Sequence, residues 1–355
     1  MKILITGICG FVGNQIARRI KATNDDVRLF GLDNFIRAGS ELNRRSAEQL
    51  CETFVRADVR SEADLQLLPD VDWVIDCAAL PSVLAGTGGG GSSRQLIEHN
   101  LAGTLNLLEY CRRCDAGLIL LSTSRVYSMR PLAELALNEA ADRYLLDVSQ
   151  PLPTGITEAG INESFSTAPP VSLYGATKIA SETMALEYGQ TFGFPVRVNR
   201  CGVLAGAGQF GRPDQGIFSF WIHSHLAKRP LRYIGCRGTG FQVRDCLHPI
   251  DVADLLVTQI GAGSDPTKPL VNNVSGGLES SRSLRQLTRW CDARFGQHAV
   301  TSSDEVRRFD LPWIVLDSTL ARSAWQWNPQ RTTDMILEEI AEFALRTPDW
   351  LEICS

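Results

Sequence analysis

The sequence predicts an α/β fold: a doubly wound parallel sheet carrying a smaller C-terminal α/β lobe. Three observations predict it. Short apolar runs recur with helix-forming stretches between them over roughly the first 200 residues, the alternation that builds a parallel sheet. The first run, Lys2-Ile3-Leu4-Ile5-Thr6, passes straight into Gly7-Ile8-Cys9-Gly10-Phe11-Val12-Gly13. The second, Val27–Leu32, ends in Asp33.

Ile16, Ala17 and Ile20 continue the first unit with a helical period from Asn14 to Lys21. Strand, glycine turn and helix in that order form the dinucleotide-binding arrangement of a Rossmann fold. Glycines permit the tight turn, and the pyrophosphate lies on the helix N-terminus, at Gly7, Gly10, Phe11, Val12 and Gly13. The spacing is G-x-x-G-x-x-G. Asp33, with Asn34 beside it, is placed to accept from the adenosine ribose hydroxyls, and its charge selects NAD against NADP; nearby Arg37 opposes that selection. Thr53–Val59 is expected as the third strand and Val71–Ala79 as the fourth. Their carboxyl ends, Asp58, Val59, Ala78, Ala79 and Leu80, fall where ligands of such sheets collect. The five glycines from Gly86 to Gly91 lack a following Gly-Lys-Ser/Thr and read as a loop over the active site. A helix is expected from Gln95 to Arg113, with Asn100 as a buried polar residue near the cofactor.

Gly117–Leu121 is the fifth strand and leads into Ser122-Thr123-Ser124-Arg125, where a hydroxyl faces the cleft. Residues 129–170 form an insertion rich in Pro, Glu, Asp and Ser, expected to cover substrate. Then comes Tyr174-Gly175-Ala176-Thr177-Lys178 at the head of a Pro-free helical stretch. Tyr and Lys four apart share a helix face, and an ammonium beside a phenol draws its pKa down from about 10 towards a useful range for proton transfer. Phe194–Arg200 is the sixth strand. The chain therefore divides near its midpoint: 1–200 is an NAD-binding domain and 201–355 mainly a substrate-binding lobe, with chain exchange back to the first domain.

Charged residues at 21% and hydrophobic ones at 44% describe an ordinary globular chain, and a net charge of −5 without a basic run disfavours nucleic acid. The strand at residue 3 leaves no room for a signal peptide, and no apolar run spans a bilayer, so a cytoplasmic protein is expected. Ten scattered cysteines fit a reducing compartment. Cys111 and Cys114 lack a second pair at zinc spacing, and His223 and His225 read as helix-surface residues, so no metal is expected.

With Gly7, Gly10, Gly13, Asp33, Thr123, Tyr174 and Lys178 in this order, the chain resembles the extended short-chain dehydrogenase/reductase superfamily over essentially its whole length. Gln209-Phe210, Asp214-Gln215-Gly216 and Gln242-Val243-Arg244-Asp245, with Asn138-Glu139, Arg143-Tyr144 and Ile161-Asn162-Glu163, are similar to the CDP-tyvelose (CDP-paratose) 2-epimerases within it. The resemblance implies a tightly held NAD and a nucleotide-diphosphate sugar, inverted at one carbon by transient oxidation to a keto sugar and re-reduction. It implies Tyr174 as base, Lys178 as its partner and ribose ligand, Thr123 as the residue orienting the sugar hydroxyl, and Ser122 and Cys201 near the nicotinamide. Arg244, helped by Gln209 and Gln215 and joined by Arg200 and His248, would hold the substrate. Dehydratases of the superfamily carry an acidic pair after the catalytic Thr; Ser124 and Arg125 stand here instead, which disfavours dehydration. Cys201 and Val203 stand where those epimerases carry His and Ser. Relatives dimerise through helices corresponding to 95–113 and 174–190, so a homodimer or higher homo-oligomer is implied. A net nucleotide-sugar reductase or dehydrogenase, and a non-catalytic NAD-binding regulator, are the alternatives.

Overall fold

The computed structural model describes residues 1–84, 92–305 and 309–354; the glycine run 86–91 lies outside them. The first strand, β1 (Lys2–Thr6), is followed by helix α1 (Phe11–Thr23), whose buried Ile16, Ala17 and Ile20 sit at the expected period. Next in the chain come β2 (Arg28–Asp33), β3 (Thr53–Arg56), β4 (Trp73–Asp76), α2 (Gly103–Cys114), β5 (Gly117–Thr123), α3 (Leu173–Phe192) and β6 (Val196–Cys201). After them α4 (Pro249–Ala262) and β7 (Val271–Val274) complete the larger unit. The seven strands form one parallel sheet in the order β7-β6-β5-β4-β1-β2-β3. The order reverses between β1 and β4, and a ligand crevice opens at such a switch point, beyond the strands' carboxyl ends.

Both faces of the sheet are covered, which is why its strands are apolar runs rather than alternations. Ile3, Ile5, Ile75 and Ile119 face α1 and α4, while Leu4, Val74, Leu118 and Leu120 face α2 and α3. Each such fully buried side chain contributes about 1.5–3 kcal/mol, so the strand ends that shape the crevice are held by the deepest part of the molecule. After residue 201, β7 pairs with β6, and α4 packs on α1 through Arg19 Nε to Asp254 Oδ1 at 2.6 Å.

The smaller lobe is a four-stranded sheet in which Val243–Leu247 is central, joined by Val203–Leu204, Ser281–Ser283 and Trp313–Ile314. Helices Ile217–Leu226, Leu284–Phe295 and Thr333–Arg346 pack around Trp221, Leu287 and Ile340. His223 and His225 are buried in this packing, not on a helix surface: His223 Nδ1 meets the Ser219 carbonyl at 2.9 Å and His225 Nε2 meets Asp292 at 2.8 Å. The partner of His225 lies 67 residues away in sequence and leaves no local pattern to find.

One other expectation is corrected and one refined. The insertion 129–170 does not cover the crevice: among the described residues none of it lines either cavity found there. Its hairpins, Leu137–Ala140 with Arg143–Leu146 and Ile156–Thr157 with Gly160–Ile161, bury Tyr144, Ile156 and Ile161 against Trp313 and Leu316 of the smaller lobe. Ser283 Oγ donates to the Asp142 carbonyl at 2.6 Å and fixes the first hairpin there. The helix expected over 95–113 is present but not α-helical throughout. Ser93–Ile97 passes through a π turn, Glu98–Ala102, before α2 begins. A Cβ at Gly103 would lie 2.7 Å from Val59 Cγ2, so only glycine lets the helix approach β3's end this closely.

Candidate active site

The glycine turn closes on itself. Gly7 has a φ of +61°, a left-handed conformation that favours glycine, and Gly10 N–H donates to its carbonyl at 2.9 Å. A Cβ at Gly13 would lie 2.4 Å from the Gly7 carbonyl oxygen, so helix and turn fit only with glycine there. No side chain caps α1, and its first turn holds no acid, which leaves a positive helix end facing the crevice. Asp33 is clamped by two backbone donors, Cys9 N–H at 2.9 Å and Phe35 N–H at 2.8 Å. Burial pushes its carboxyl up and these donors draw it back. Arg37 does not turn to Asp33: its guanidinium donates to the Phe210 carbonyl. The residues present thus fit a dinucleotide: an uncapped helix end, a turn that a Cβ would fill, and an oriented carboxylate one strand away.

Behind the crevice wall, Asn100 holds the segment after β4. Its Oδ1 accepts from Leu80 N–H at 2.8 Å while its Nδ2 donates to the Leu80 carbonyl at 3.2 Å. The π turn frees the Asn100 carbonyl to accept from Thr104 at 3.0 Å and Ser181 at 2.8 Å. Asp58, holding Asn34 Nδ2 at 3.0 Å, is a second supporting residue that does not line the cavity.

A cavity of about 430 Å³ runs from the glycine turn to β5 and β6. Gly7, Gly10, Phe11, Val12, Gly13, Asp33 and Asn34 line one end. Val59, Ala78, Ala79 and Leu80 lie along it, and Ser122, Thr123, Tyr174 and Cys201 close the other end, with Gln209 and Gln215 opposite. Burial pushes the Tyr174 phenol up to about 12, against the Thr123 hydroxyl and the Arg125 guanidinium, which draw it down. Lys178 lies a turn deeper at 2% exposure and faces Asp76 and Glu182; burial lowers its pKa and those carboxylates support the charge. The cation acting on the phenol is thus Arg125, while Lys178, the expected partner on the same helix, is turned to the two carboxylates. Burial also pushes the Cys201 thiol up to about 12, so it stands neutral beside them.

A second cavity of about 150 Å³ adjoins the first and is lined by Gln242, Arg244, Arg282, Leu284 and Phe218. Arg244 Nη2 pairs with Asp310 at 2.9 Å there. Two of the expected substrate residues are committed elsewhere. Arg200 is buried in a fork with Glu182, at 3.1 and 2.7 Å, and lies over the Tyr127 ring. His248 caps α4, its Nδ1 accepting from Ile250 N–H at 3.1 Å, with Glu339 at 3.2 Å from its other nitrogen. Neither lines either of these two cavities.

Sequence reasoning missed other residues. Ser82 Oγ donates to Asp214 Oδ2 at 2.5 Å across the crevice mouth. Trp350, near the end of the chain, stacks on Phe210 at 5.5 Å and donates to the Gln209 carbonyl at 2.8 Å. A pair 132 residues apart and a contact 141 residues apart leave no local pattern to find.

A model of the NAD dependent epimerase/dehydratase family matches residues 3–274. CDP-paratose 2-epimerase of Salmonella typhi is 30% identical over 341 residues, 93% of this chain and 95% of its own length. UDP-glucuronate 4-epimerase 4 of Arabidopsis thaliana is 24% identical over 94% of this chain and 72% of its own. The structure of UDP-glucuronic acid 4-epimerase from Bacillus cereus, in complex with NAD, superposes with a TM-score of 0.72 at 25% identity, covering 98% of this chain and all of that one.

Proposed function

The chain belongs to the NAD dependent epimerase/dehydratase family, and from that premise we propose that it is a nucleotide-sugar epimerase of the CDP-tyvelose 2-epimerase kind. One observation carries the reading: Thr123 and Tyr174 form one end of a cavity whose other end is the glycine turn with Asp33. NAD, when bound, supplies a hydride acceptor that returns the hydride to the same carbon. The glycine turn and the first turn of α1 would hold its pyrophosphate, Asp33 its adenosine ribose, and Lys178 its nicotinamide ribose.

The protein's own residues handle the proton. Tyr174 accepts it from the sugar hydroxyl as the carbon is oxidised and gives it back on reduction. Thr123 fixes that hydroxyl, and Ser122, with its own hydroxyl bonded to Glu182, keeps the β5 end in place. The sugar ring lies at the junction of the two cavities, and the diphosphate runs on to Arg244, with Gln209 and Gln215 on the way. No carboxylate stands in Ser122–Val126 to protonate a departing hydroxyl, which favours epimerisation over dehydration. The likeness to a 2-epimerase over 93% of the chain supports C2 as the inverted centre. A reducing cytoplasm, where no disulfide forms among the ten cysteines, and a homodimer through α2 and α3, where Leu173 and Phe192 are exposed, complete the proposal.

The test is direct. Purified protein, denatured, should release NAD, and incubation with CDP-, UDP- and dTDP-sugars should give an inverted isomer by NMR without net change in nicotinamide absorbance. Steady accumulation of reduced nicotinamide would instead establish a dehydrogenase. Tyr174→Phe should retain NAD and lose turnover by at least about 100-fold. Wild type and variant that are equally inert towards the whole panel would leave a non-catalytic NAD-binding protein.

A further inference from the structure

We infer that Arg125 is a second cation of the proton-transfer site, favouring ionisation of Tyr174 at the point where the two cavities meet. The inference rests on the proton-acceptor role given to Tyr174 above. Arg125 is the one cationic side chain that lines both cavities among the described residues. Its place is built rather than incidental. Thr123 Oγ1 accepts from Arg125 N–H at 3.2 Å and caps the short turn Ser124–Val126, so the residue that faces the phenol also fixes the backbone of Arg125. Arg125 Nη1 reaches the Phe309 carbonyl of the smaller lobe at 3.4 Å, which draws the side chain across the junction. Its carbonyl lies 2.2 Å from where a Cβ on Gly175 would stand, so the turn and the head of α3 approach as closely as two backbones can.

The groups facing the phenol come from each surrounding element. On its own helix, Lys178 lies a turn deeper and is turned instead to Asp76 and Glu182. From the β5 end come Thr123 and Arg125, and from the β6 end Cys201, which opposes ionisation. Leu80, Val83 and Leu96 cover the ring with apolar surface, and His99 and Asp214 line the same cavity. A phenol so covered ionises only with a cation at hand, and a guanidinium stays charged throughout the working range. Lys178 shares its field with two carboxylates. Arg125 faces the open end, where the sugar hydroxyl arrives, and its charge acts on the phenolate from the side on which the proton is taken.

The experiment needs no substrate. In the NAD-loaded protein, the near-ultraviolet phenolate absorbance of wild type minus that of Tyr174→Phe isolates one titration, and its midpoint is followed in Arg125→Lys, Arg125→Gln and Arg125→Met, each also carried with and without Tyr174→Phe. The neutral variants should raise the midpoint by about one unit or more, and Arg125→Lys should stay near wild type. A midpoint unmoved by both neutral variants, or moved as far by Arg125→Lys, overturns the inference. Two neutral side chains guard against one failing to fold, checked by near-ultraviolet circular dichroism. An Arg125-dependent midpoint without isomerisation of any sugar nucleotide would fault the proposed function and leave this inference standing. Isomerisation with an Arg125-independent midpoint would do the reverse.

Discussion

On α3, Tyr174, Lys178 and Glu182 follow one another at single-turn intervals, and the last of them is the most firmly held. Glu182 accepts from Arg200 and from Ser122, while Arg200 lies 5.2 Å over the Tyr127 ring. Removing one partner of a buried pair strands the other charge. Arg200→Met should therefore cost about 3–5 kcal/mol in denaturant unfolding, and Arg200→Met with Glu182→Leu clearly less than the two single losses together. Strict additivity would show that the pair is not a unit. The phenol above it makes a pH prediction. Its folded pKa of about 12 exceeds the ordinary value near 10, so its contribution is intact below pH 10 and is lost as pH rises through 12. Wild type should lose about 2–3 kcal/mol relative to Tyr174→Phe across that interval, read as the difference between their unfolding free energies. Equal pH slopes would mean that the ring is less buried than described. Tyr174 and Lys178 were legible because their spacing is itself the pattern. Arg200 was not, since in a strand buried on both sides nothing in the sequence says which face meets a ligand. His248 failed for a related reason: a cap and a ligand are the same residue until the helix start is known.

Among the elements, β1 with its glycine turn and α1 was readable in full, because the strand, the turn chemistry and the helical period agree at every position. The turn's tightness can be tested against a glycine that lacks it. Gly13→Ala drives a Cβ to 2.4 Å from a backbone oxygen, whereas at Gly261 in α4 no described heavy atom lies within 4 Å. Gly13→Ala should lower the melting temperature and release NAD on gel filtration. Gly261→Ala should leave the bound NAD alone and stabilise by about 0.5–1 kcal/mol, the helix penalty of glycine removed. If both behave alike, close approach is not what glycine provides at position 13. The π turn at Glu98–Ala102 was hidden because such a turn has no composition of its own; Asn100, Thr104 and Ser181 explain it only once folded together. The insertion misled in another way. Its length and polarity suggested a lid, but Tyr144, Ile156, Ile161 and Phe165 are anchors, spaced too irregularly to announce a shared core.

At the scale of the molecule, the crevice wall made by residues 209–216 belongs to neither lobe's core and is held from the far end of the chain. Trp350 stacks on Phe210 and packs edge-on against Phe343 at 4.8 Å, Arg212 Nε donates to the Cys354 carbonyl at 2.7 Å, and Arg37 ties the same loop to the β2 side. Phe11, at the start of α1, packs in the same cluster as Phe210 and Trp350. The helix end that faces the pyrophosphate and the wall opposite therefore share one small apolar joint. Truncating its largest member should loosen both at once. Trp350→Ala, at a site 6% exposed, should cost about 3–5 kcal/mol of stability. It should also shorten NAD retention and raise KM for the sugar nucleotide more than it lowers kcat, because the wall and not the proton site is displaced. Retention and KM at wild-type values in a variant that has lost stability would show the joint to be a structural cluster only. A fall in kcat alone would place its influence on the Thr123–Tyr174 end instead.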